Sequence, residues 1–339
     1  MNKKFEETLK IIRSQFGDES VMTLRENVTL KVDKVSSGSL KIDSILGGGL
    51  PMGRMVEIYG PEASGKTTIT LHVVAECMKK YPDKLAAFID AEHALDPEYA
   101  EKLGVDLDRL IINQPNSGEE GLEIAEALIR SGDVSVVIID SVDALTPEVT
   151  IKGDMGDTHV APLARLMSRG VRKLSGAVKK NNALLVFVNQ IREKVGIMFG
   201  NPETTSGGRA LKFYTTQRLE VRKTGKPEEK FVQAKVKCVK NKVARPYLET
   251  TIDIAYGKGI LLDGEIVDMA VEYEVLTKAG AWYKMDGKSF AQGRTQLIDI
   301  LEDSPELKQE LFDKVKKAII NKKSWKLMIT PLLRGYFML

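Results

Sequence analysis

Cysteine is nearly absent: of 339 residues only Cys77 and Cys238 are cysteine, one in a helical pattern and one in a strand pattern. Neither a disulfide framework nor a zinc site is expected. Histidine is as scarce, and His72, His93 and His159 show no metal-ligand spacing. No apolar run is long enough to cross a bilayer, and Met1-Asn2-Lys3-Lys4-Phe5-Glu6-Glu7 lacks the uninterrupted apolar region of a signal peptide. A cytoplasmic location with no membrane partner is expected. Charge of one sign is lacking too: a net charge of +3 leaves nucleic-acid binding to be argued from local clusters. Internal repeats and low-complexity tracts are missing. With 43% hydrophobic residues, a chain of this length supports one large core with additions, or two domains.

What is present is concentrated in Met55-Val56-Glu57-Ile58-Tyr59-Gly60-Pro61-Glu62-Ala63-Ser64-Gly65-Lys66-Thr67-Thr68. A short apolar run enters a glycine-bounded loop, and a helical pattern follows. Gly60 and Gly65 permit backbone angles closed to other residues, so successive N–H groups can converge at the positive end of the next helix. A polyphosphate such as that of ATP fits there. Lys66 then reaches the β- and γ-phosphates, and the Thr67 hydroxyl joins the shell of Mg²⁺. The spacing G-x-x-x-x-G-K-[ST] arises by chance in about one chain in a hundred of this length. A ligand-free β-to-α turn is the alternative.

The chain opens with Phe5, Leu9, Ile12 and Phe16 at helical spacing, a stripe that stops at Gly17 and must bury itself on its own domain or on a neighbouring subunit. Residues 24 to 40 are polar, with Ser36, Ser37, Gly38 and Ser39 marking a linker or turn. From residue 55, apolar runs at 55 to 59, 85 to 89, 134 to 139 and 184 to 188 alternate with helices at 66 to 80, near 119 to 131 and near 161 to 180. That alternation predicts an α/β fold with a mainly parallel, twisted sheet covered by helices on both faces. After residue 213 the period becomes two, predicting an antiparallel extension, and beyond about 262 a small lysine-rich, mixed α+β domain is expected.

Ligands in such sheets lie beyond the carboxyl ends of the strands. The residues there are Asp90 and Glu92, Asp140 and Ser141, and Asn189 and Gln190, each able to face a phosphate. Asp140 suits anchoring Mg²⁺ through water, or capping a helix. Glu92 suits orienting and deprotonating an attacking water, or a surface ion pair. Gln190 suits sensing the γ-phosphate, or a structural hydrogen bond. Two stretches, Ile151 to Val160 and Gly196 to Arg209, read as mobile loops. The second carries Gly196, Gly200, Gly207, Gly208 and Ile197-Met198-Phe199 beside Arg192, Lys194, Arg209 and Lys212. Cations with apolar inserts suit single-stranded nucleic acid; a loop ordered over protein is the other reading. Lys240 and Lys242 flank Asn241, and either reach a phosphate or form a solvated charge run.

Residues 34 to 290 closely resemble the RecA recombinase family. The resemblance rests on the phosphate loop, on Phe88-Ile89-Asp90-Ala91-Glu92-His93-Ala94-Leu95-Asp96-Pro97, on Ile138-Ile139-Asp140-Ser141-Val142, on Asn189-Gln190-Ile191-Arg192 and on Phe199-Gly200-Asn201-Pro202-Glu203-Thr204-Thr205, in that order. It implies an ATPase, dependent on DNA, that forms a homo-oligomeric helical filament on single-stranded DNA, pairs it with homologous double-stranded DNA, exchanges strands and promotes self-cleavage of a LexA-type repressor. It implies that Glu92 is catalytic with Lys66, that Gln190 is the γ-phosphate sensor, and that Asp96, Tyr99 and Tyr256 contact adenine. It further implies that Lys240 and Lys242 reach the neighbouring subunit's γ-phosphate, and that Arg165, Arg172, Lys194, Met198, Phe199, Gly207, Gly208 and Arg209 belong to the DNA-binding surface. The helix bearing Phe5, Leu9, Ile12 and Phe16 resembles the family's polymerisation helix, with the neighbour's segment at Phe213 as its dock. The implied division is 1–33 for that helix and a linker, 34–262 for the ATPase core, and 263–339 for a small C-terminal domain. One departure is the end of the chain: Lys314 onward has no Asp or Glu, where the family commonly has an acidic tail.

Overall fold

The computed structural model describes residues 3–17, 20–21, 32–154, 161–193, 202–225, 230–285 and 288–334. It divides into two compact units, Met1–Asp33 and Lys34–Leu339. In the first, helix α1 (Lys3–Phe16) ends where Gly17 turns to a φ of +95°, its N–H bonding the Arg13 carbonyl at 2.8 Å. Phe5 and Phe16 are exposed, and Leu9 and Ile12 are half-buried.

The second unit begins with β1 (Lys34–Val35), α2 (Leu40–Leu46) and β2 (Leu50–Pro51), which pairs with β1. There follow β3 (Met55–Gly60), α3 (Lys66–Lys80), β4 (Leu85–Asp90), α4 (Pro97–Lys102), β5 (Leu110–Asn113), α5 (Gly118–Ser131), β6 (Val134–Asp140), α6 (Glu148–Lys152), α7 (Pro162–Lys180) and β7 (Leu184–Glu193). Next come β8 (Glu203–Thr205), α8 (Ala210–Tyr214), β9 (Gln217–Thr224), β10 (Phe231–Asn241), β11 (Glu249–Ala255) and β12 (Gly259–Ile260). The chain closes with α9 (Leu262–Glu272), the sheet β13 (Thr277–Ala279), β14 (Trp282–Met285) and β15 (Lys288–Gln292), then α10 (Arg294–Asp303) and α11 (Pro305–Arg334).

Strand order in the main sheet is β12-β11-β10-β9-β3-β7-β6-β4-β5, with β8 against β7. Alternate residues of each central strand feed opposite cores. Val56, Ile58, Phe88, Ile138 and Val186 pack under α3, while Met55, Ile89, Ile139 and Phe187 pack under α5 and α7. Both faces are dry, which is why these strands read as continuous apolar runs. β9 departs from the sequence reading. It pairs in parallel with β3, from Val56↔Gln217 to Tyr59↔Glu220, and antiparallel pairing begins only at β10. Alternation along β9 reports one wet face, a property shared by strands of either direction, so the period could not reveal which way it runs.

A third cluster joins Leu40 of α2 to Ile266, Met269, Leu297, Leu301, Leu311 and Val315 of the C-terminal elements. Polar groups reinforce that contact. Ser39 caps α2 through Ile42 N–H at 3.1 Å and donates to both oxygens of buried Glu265 at 2.8 Å. Asp268 pairs with Lys41 and Arg294. No helix among the described residues is long and apolar enough to cross a membrane.

Candidate functional site

The carboxyl ends of the parallel strands gather the sequence-predicted residues. Register places Gly60 beside Gln190 and Asp90 beside Asp140. Gly60 is obligatory: a Cβ there would lie 2.0 Å from the Val221 carbonyl oxygen. Gly65, at a φ of +94°, opens α3. Between them run Pro61, Glu62, Ala63 and Ser64, and the buried Ser64 hydroxyl has no protein partner. Lys66 is buried, with its ammonium on the Pro61 carbonyl at 2.7 Å. Burial lowers its pKa from the ordinary lysine value, against the pull of Asp140, Glu92 and Glu62. An orphaned hydroxyl, a desolvated ammonium and the N-terminus of a 15-residue helix make a cradle for a polyphosphate.

Thr67 Oγ1 donates to Asp140 Oδ2 at 2.8 Å. Burial pushes the Asp140 carboxyl up to about 6, with the Thr67 bond opposing the rise. Among the described residues no group of three or more His, Cys, Asp or Glu is placed to share a metal ion. The hydroxyl–carboxylate pair instead fits Mg²⁺ that takes its remaining ligands from phosphate and water. Glu92 lies next to it, exposed, and its Oε1 accepts from the Ser141 hydroxyl and from Gln190 Nε2, the latter at 3.0 Å.

Two of the strand-end residues face elsewhere. Asp90 accepts from Ala94 N–H at 3.1 Å, Leu95 N–H at 3.2 Å and Gln114 Nε2 at 3.1 Å, so its charge holds the loop that presents Glu92. Asn189, fully buried, bonds Glu57 and the Ser206 carbonyl. Both are used inside the protein because backbone donors and a buried carboxylate reach them first.

A cleft of about 320 Å³ adjoins the loop, lined by Ala63 to Thr68 together with Tyr99, Ile254 and Tyr256. The Tyr99 hydroxyl and Thr68 Oγ1 are 3.0 Å apart. Tyr256 is 61% exposed, a free aromatic face at the rim. Asp96, also expected here, is outside the lining and caps α4 through Glu98 and Tyr99 N–H.

Lys240 and Lys242 are far from this cradle. Lys240 pairs in register with Arg218 and Asn241 with Gln217, beside the start of β3, whereas Gly60 is at its end. Four residues of strand, about 13 Å, separate Val56 from Gly60. Lys240 Nζ donates to the Lys212 carbonyl at 2.5 Å and the Phe213 carbonyl at 3.2 Å, and Lys242 Nζ to the Phe213 carbonyl at 3.3 Å. Burial, with Lys242 and Arg218 adding to it, pushes Lys240 down to about 8. Phe213 itself is 71% exposed.

Of the loop residues, Lys194, Met198 and Phe199 lie outside the described residues, as do 155–160. The rest of the second stretch is built into the fold rather than looping freely. β8 pairs with β7, Gly207 sits against Val142 and Met167, and Gly208 against Ala164, each with a positive φ and less than 3 Å of room for a Cβ. Ser206 and Arg192 both bond Asp143. Arg165, Arg172 and Arg209 are exposed, the first two seven residues apart on one face of α7. Sequence reasoning missed Glu57, Arg218 and Asp143. The available signal was a carboxylate inside the apolar run of β3 and cations on a half-buried strand.

The family model of the RecA N-terminal domain matches residues 3–261, and that of the RecA C-terminal domain matches residues 264–320. The chain is 53% identical to Protein RecA of Macrococcus caseolyticus over 322 residues, covering 94% of this chain and 91% of that protein. It is 52% identical to Protein RecA of Staphylococcus carnosus, covering 94% of this chain and 90% of the other, and 51% identical to that of Staphylococcus aureus, covering 94% and 92%.

Proposed function

Because the chain belongs to the RecA family, the DNA-dependent ATPases of homologous recombination and DNA repair, we propose that its ATP is held between two protomers of a filament and is read by both. On one protomer the backbone from Gly60 to Gly65 and Lys66 hold the phosphates. Tyr99 and Tyr256 flank adenine, with Asp96 alongside. Glu92 orients and deprotonates the attacking water, and Gln190, which shares Glu92 Oε1 with Ser141, moves onto the γ-phosphate. Thr67 and, through water, Asp140 would hold Mg²⁺, which would supply charge neutralisation at the phosphates. Lys240 and Lys242 come from the neighbour.

The observation that carries this reading is the placement of the two lysines. They sit at the opposite end of the strands from their own phosphate loop, and among the described residues their ammonium groups hydrogen-bond the Lys212 and Phe213 carbonyls rather than an acid, beside the exposed Phe213 ring. Burial, followed by the charges of Lys242 and Arg218, depresses the pKa of Lys240, and the two lysines suit an anion brought from outside. Segment 1–33 is assigned to assembly, with Phe5, Leu9, Ile12 and Phe16 docking at the neighbour's Phe213. Segment 34–262 is assigned to the ATPase and 263–339 to a C-terminal domain. Single-stranded DNA lies along Arg165, Arg172, Lys194, Met198, Phe199, Gly207, Gly208 and Arg209. The assembled form also promotes self-cleavage of a LexA-type repressor, in the cytoplasm. The test is hydrolysis without DNA, with single-stranded DNA and with duplex. Single strands stimulate the wild type, and Lys240→Ala with Lys242→Ala abolishes the stimulation; a wild-type rate in the double variant would remove the cross-protomer site.

A further inference from the structure

Glu57 is a carboxylate with no exposed surface in the middle of a parallel sheet. Such a charge costs several kcal/mol unless paired, and an apolar pair of like volume would often serve stability as well. Its two oxygens point the interaction in two directions. Oε1 accepts from Asn189 Nδ2 at 3.0 Å, and Oε2 is ion-paired with Arg218 Nε. Asn189 takes the Gln190 N–H on its Oδ1 at 2.9 Å, and its Nδ2 also donates to the Ser206 carbonyl at 3.1 Å. Toward the carboxyl end, the chain of bonds therefore ends on the residue that bonds Glu92 and on the stem of the second DNA-binding stretch. On the neighbouring strand, the guanidinium of Arg218 covers the Tyr59 ring at 4.6 Å, and the Arg218 backbone is the register partner of Lys240 on β10.

We infer that Glu57, with Asn189 and Arg218, is a positioning relay that couples occupancy of a protomer's own nucleotide site to the aim of its Lys240 toward the neighbour's. The inference rests on the roles given above to Gln190 and Lys240. When the Gln190 side chain leaves Glu92 for a phosphate, the backbone at 189–190 carries Asn189 with it. Its amide hydrogens are then shared differently between Glu57 and Ser206. Glu57 loosens or tightens on Arg218, and the cation beside Lys240 shifts in step. The same asparagine thus passes the signal to the DNA-binding stretch and to the protomer contact.

The test uses the full chain with Glu57→Gln, which keeps the shape and removes the charge. ATP binding stays near wild type, while the thermal midpoint falls because Arg218 is left mostly buried without its partner. The Hill coefficient for ATP in DNA-stimulated hydrolysis falls toward one. The ratio of single-strand affinity with a non-hydrolysable triphosphate to that with diphosphate drops at least about tenfold. A wild-type ratio and Hill coefficient would overturn the relay. Should Glu57→Gln fail to fold, Asn189→Ser, which removes both donor bonds of the amide, is measured by the same two readouts and decides in the same way. Gln190→Ala and Lys240→Ala run in parallel: if both match wild type, the underlying site reading fails, and if both are impaired while Glu57→Gln is not, the relay alone fails.

Discussion

Glu92 and Glu265 are both carboxylates, and their surroundings give them opposite uses. Glu92 is exposed and bonded by Ser141 and Gln190, ready to face water, so Glu92→Gln lowers hydrolysis by about 10² to 10³-fold while triphosphate-dependent DNA binding persists. Single-turnover hydrolysis and a DNA-binding titration on the same preparation check it. Glu265 is sealed between α2 and α9, where burial lifts its carboxyl to about 7 against the bonds from Ser39 and Lys41 and the Lys41 charge, with Asp43 adding to the rise. A folded-state pKa above the unfolded one favours the protonated form. The stability it contributes is full below the usual carboxylate range and is lost as pH rises through about 7. Denaturation at pH 5 and pH 8 therefore shows wild type losing on the order of 1–3 kcal/mol relative to Glu265→Gln. Most side chains of the nucleotide cradle were legible from spacing alone, because backbone geometry and phosphate charge demand those types at those intervals. Asp90 and Asn189 were not: type and position match a phosphate-facing group, and only the positions of Ala94, Leu95, Glu57 and Ser206 reveal where they are spent.

Elements buried on both faces were the easiest to read, since β4 and the first half of β7 are apolar runs and β3 and β6 are broken only by Glu57 and Ser135 before their tips. β5 escaped because it is a four-residue edge strand with Ile112 half exposed. α2 lay hidden inside a stretch that begins polar, although Ser39, the apolar spacing of Leu40, Ile42, Ile45 and Leu46, and Gly47 at a φ of +79° are a full set of start and stop signals. The direction of β9 is set by the connection before it, not by its own residues. α8 ends at a surface where Phe213 is exposed and its carbonyl is ringed by lysines. Phe213→Ala removes an aromatic that contributes little to its own fold. The thermal midpoint moves by no more than about 2 °C, and filament length in electron micrographs collapses. Unchanged filaments would relocate the dock for α1.

Across the whole molecule, affinity for DNA depends on two quantities that can be separated by salt. Arg165→Ala and Arg172→Ala each weaken single-strand binding and reduce the salt slope by about 0.7 per lost phosphate contact, leaving ATP binding intact. A titration over a range of salt reads both. On the proposed reading, triphosphate acts on the other quantity, the share of protomers in the gripping form, and is expected to shift affinity without changing that slope. Equal affinity with and without triphosphate at matched salt would dissociate the nucleotide from the DNA surface. The small net charge could not foretell this surface, because Arg165, Arg172 and Arg209 are balanced by acids elsewhere in the chain.

The placement of Lys240 at the starting edge of the sheet and of Gly60 at its finishing edge has one more outcome. On the cross-protomer site proposed above, copies joined through these ends of the strands stack with a direction, and the row has two unlike tips. At one tip a loop lacks any lysine from beyond; at the other, a lysine pair reaches into solvent with no triphosphate to meet. Turnover is then silent at the first tip and possible everywhere behind it, so growth and shedding proceed at unequal speeds on the two sides of the same row.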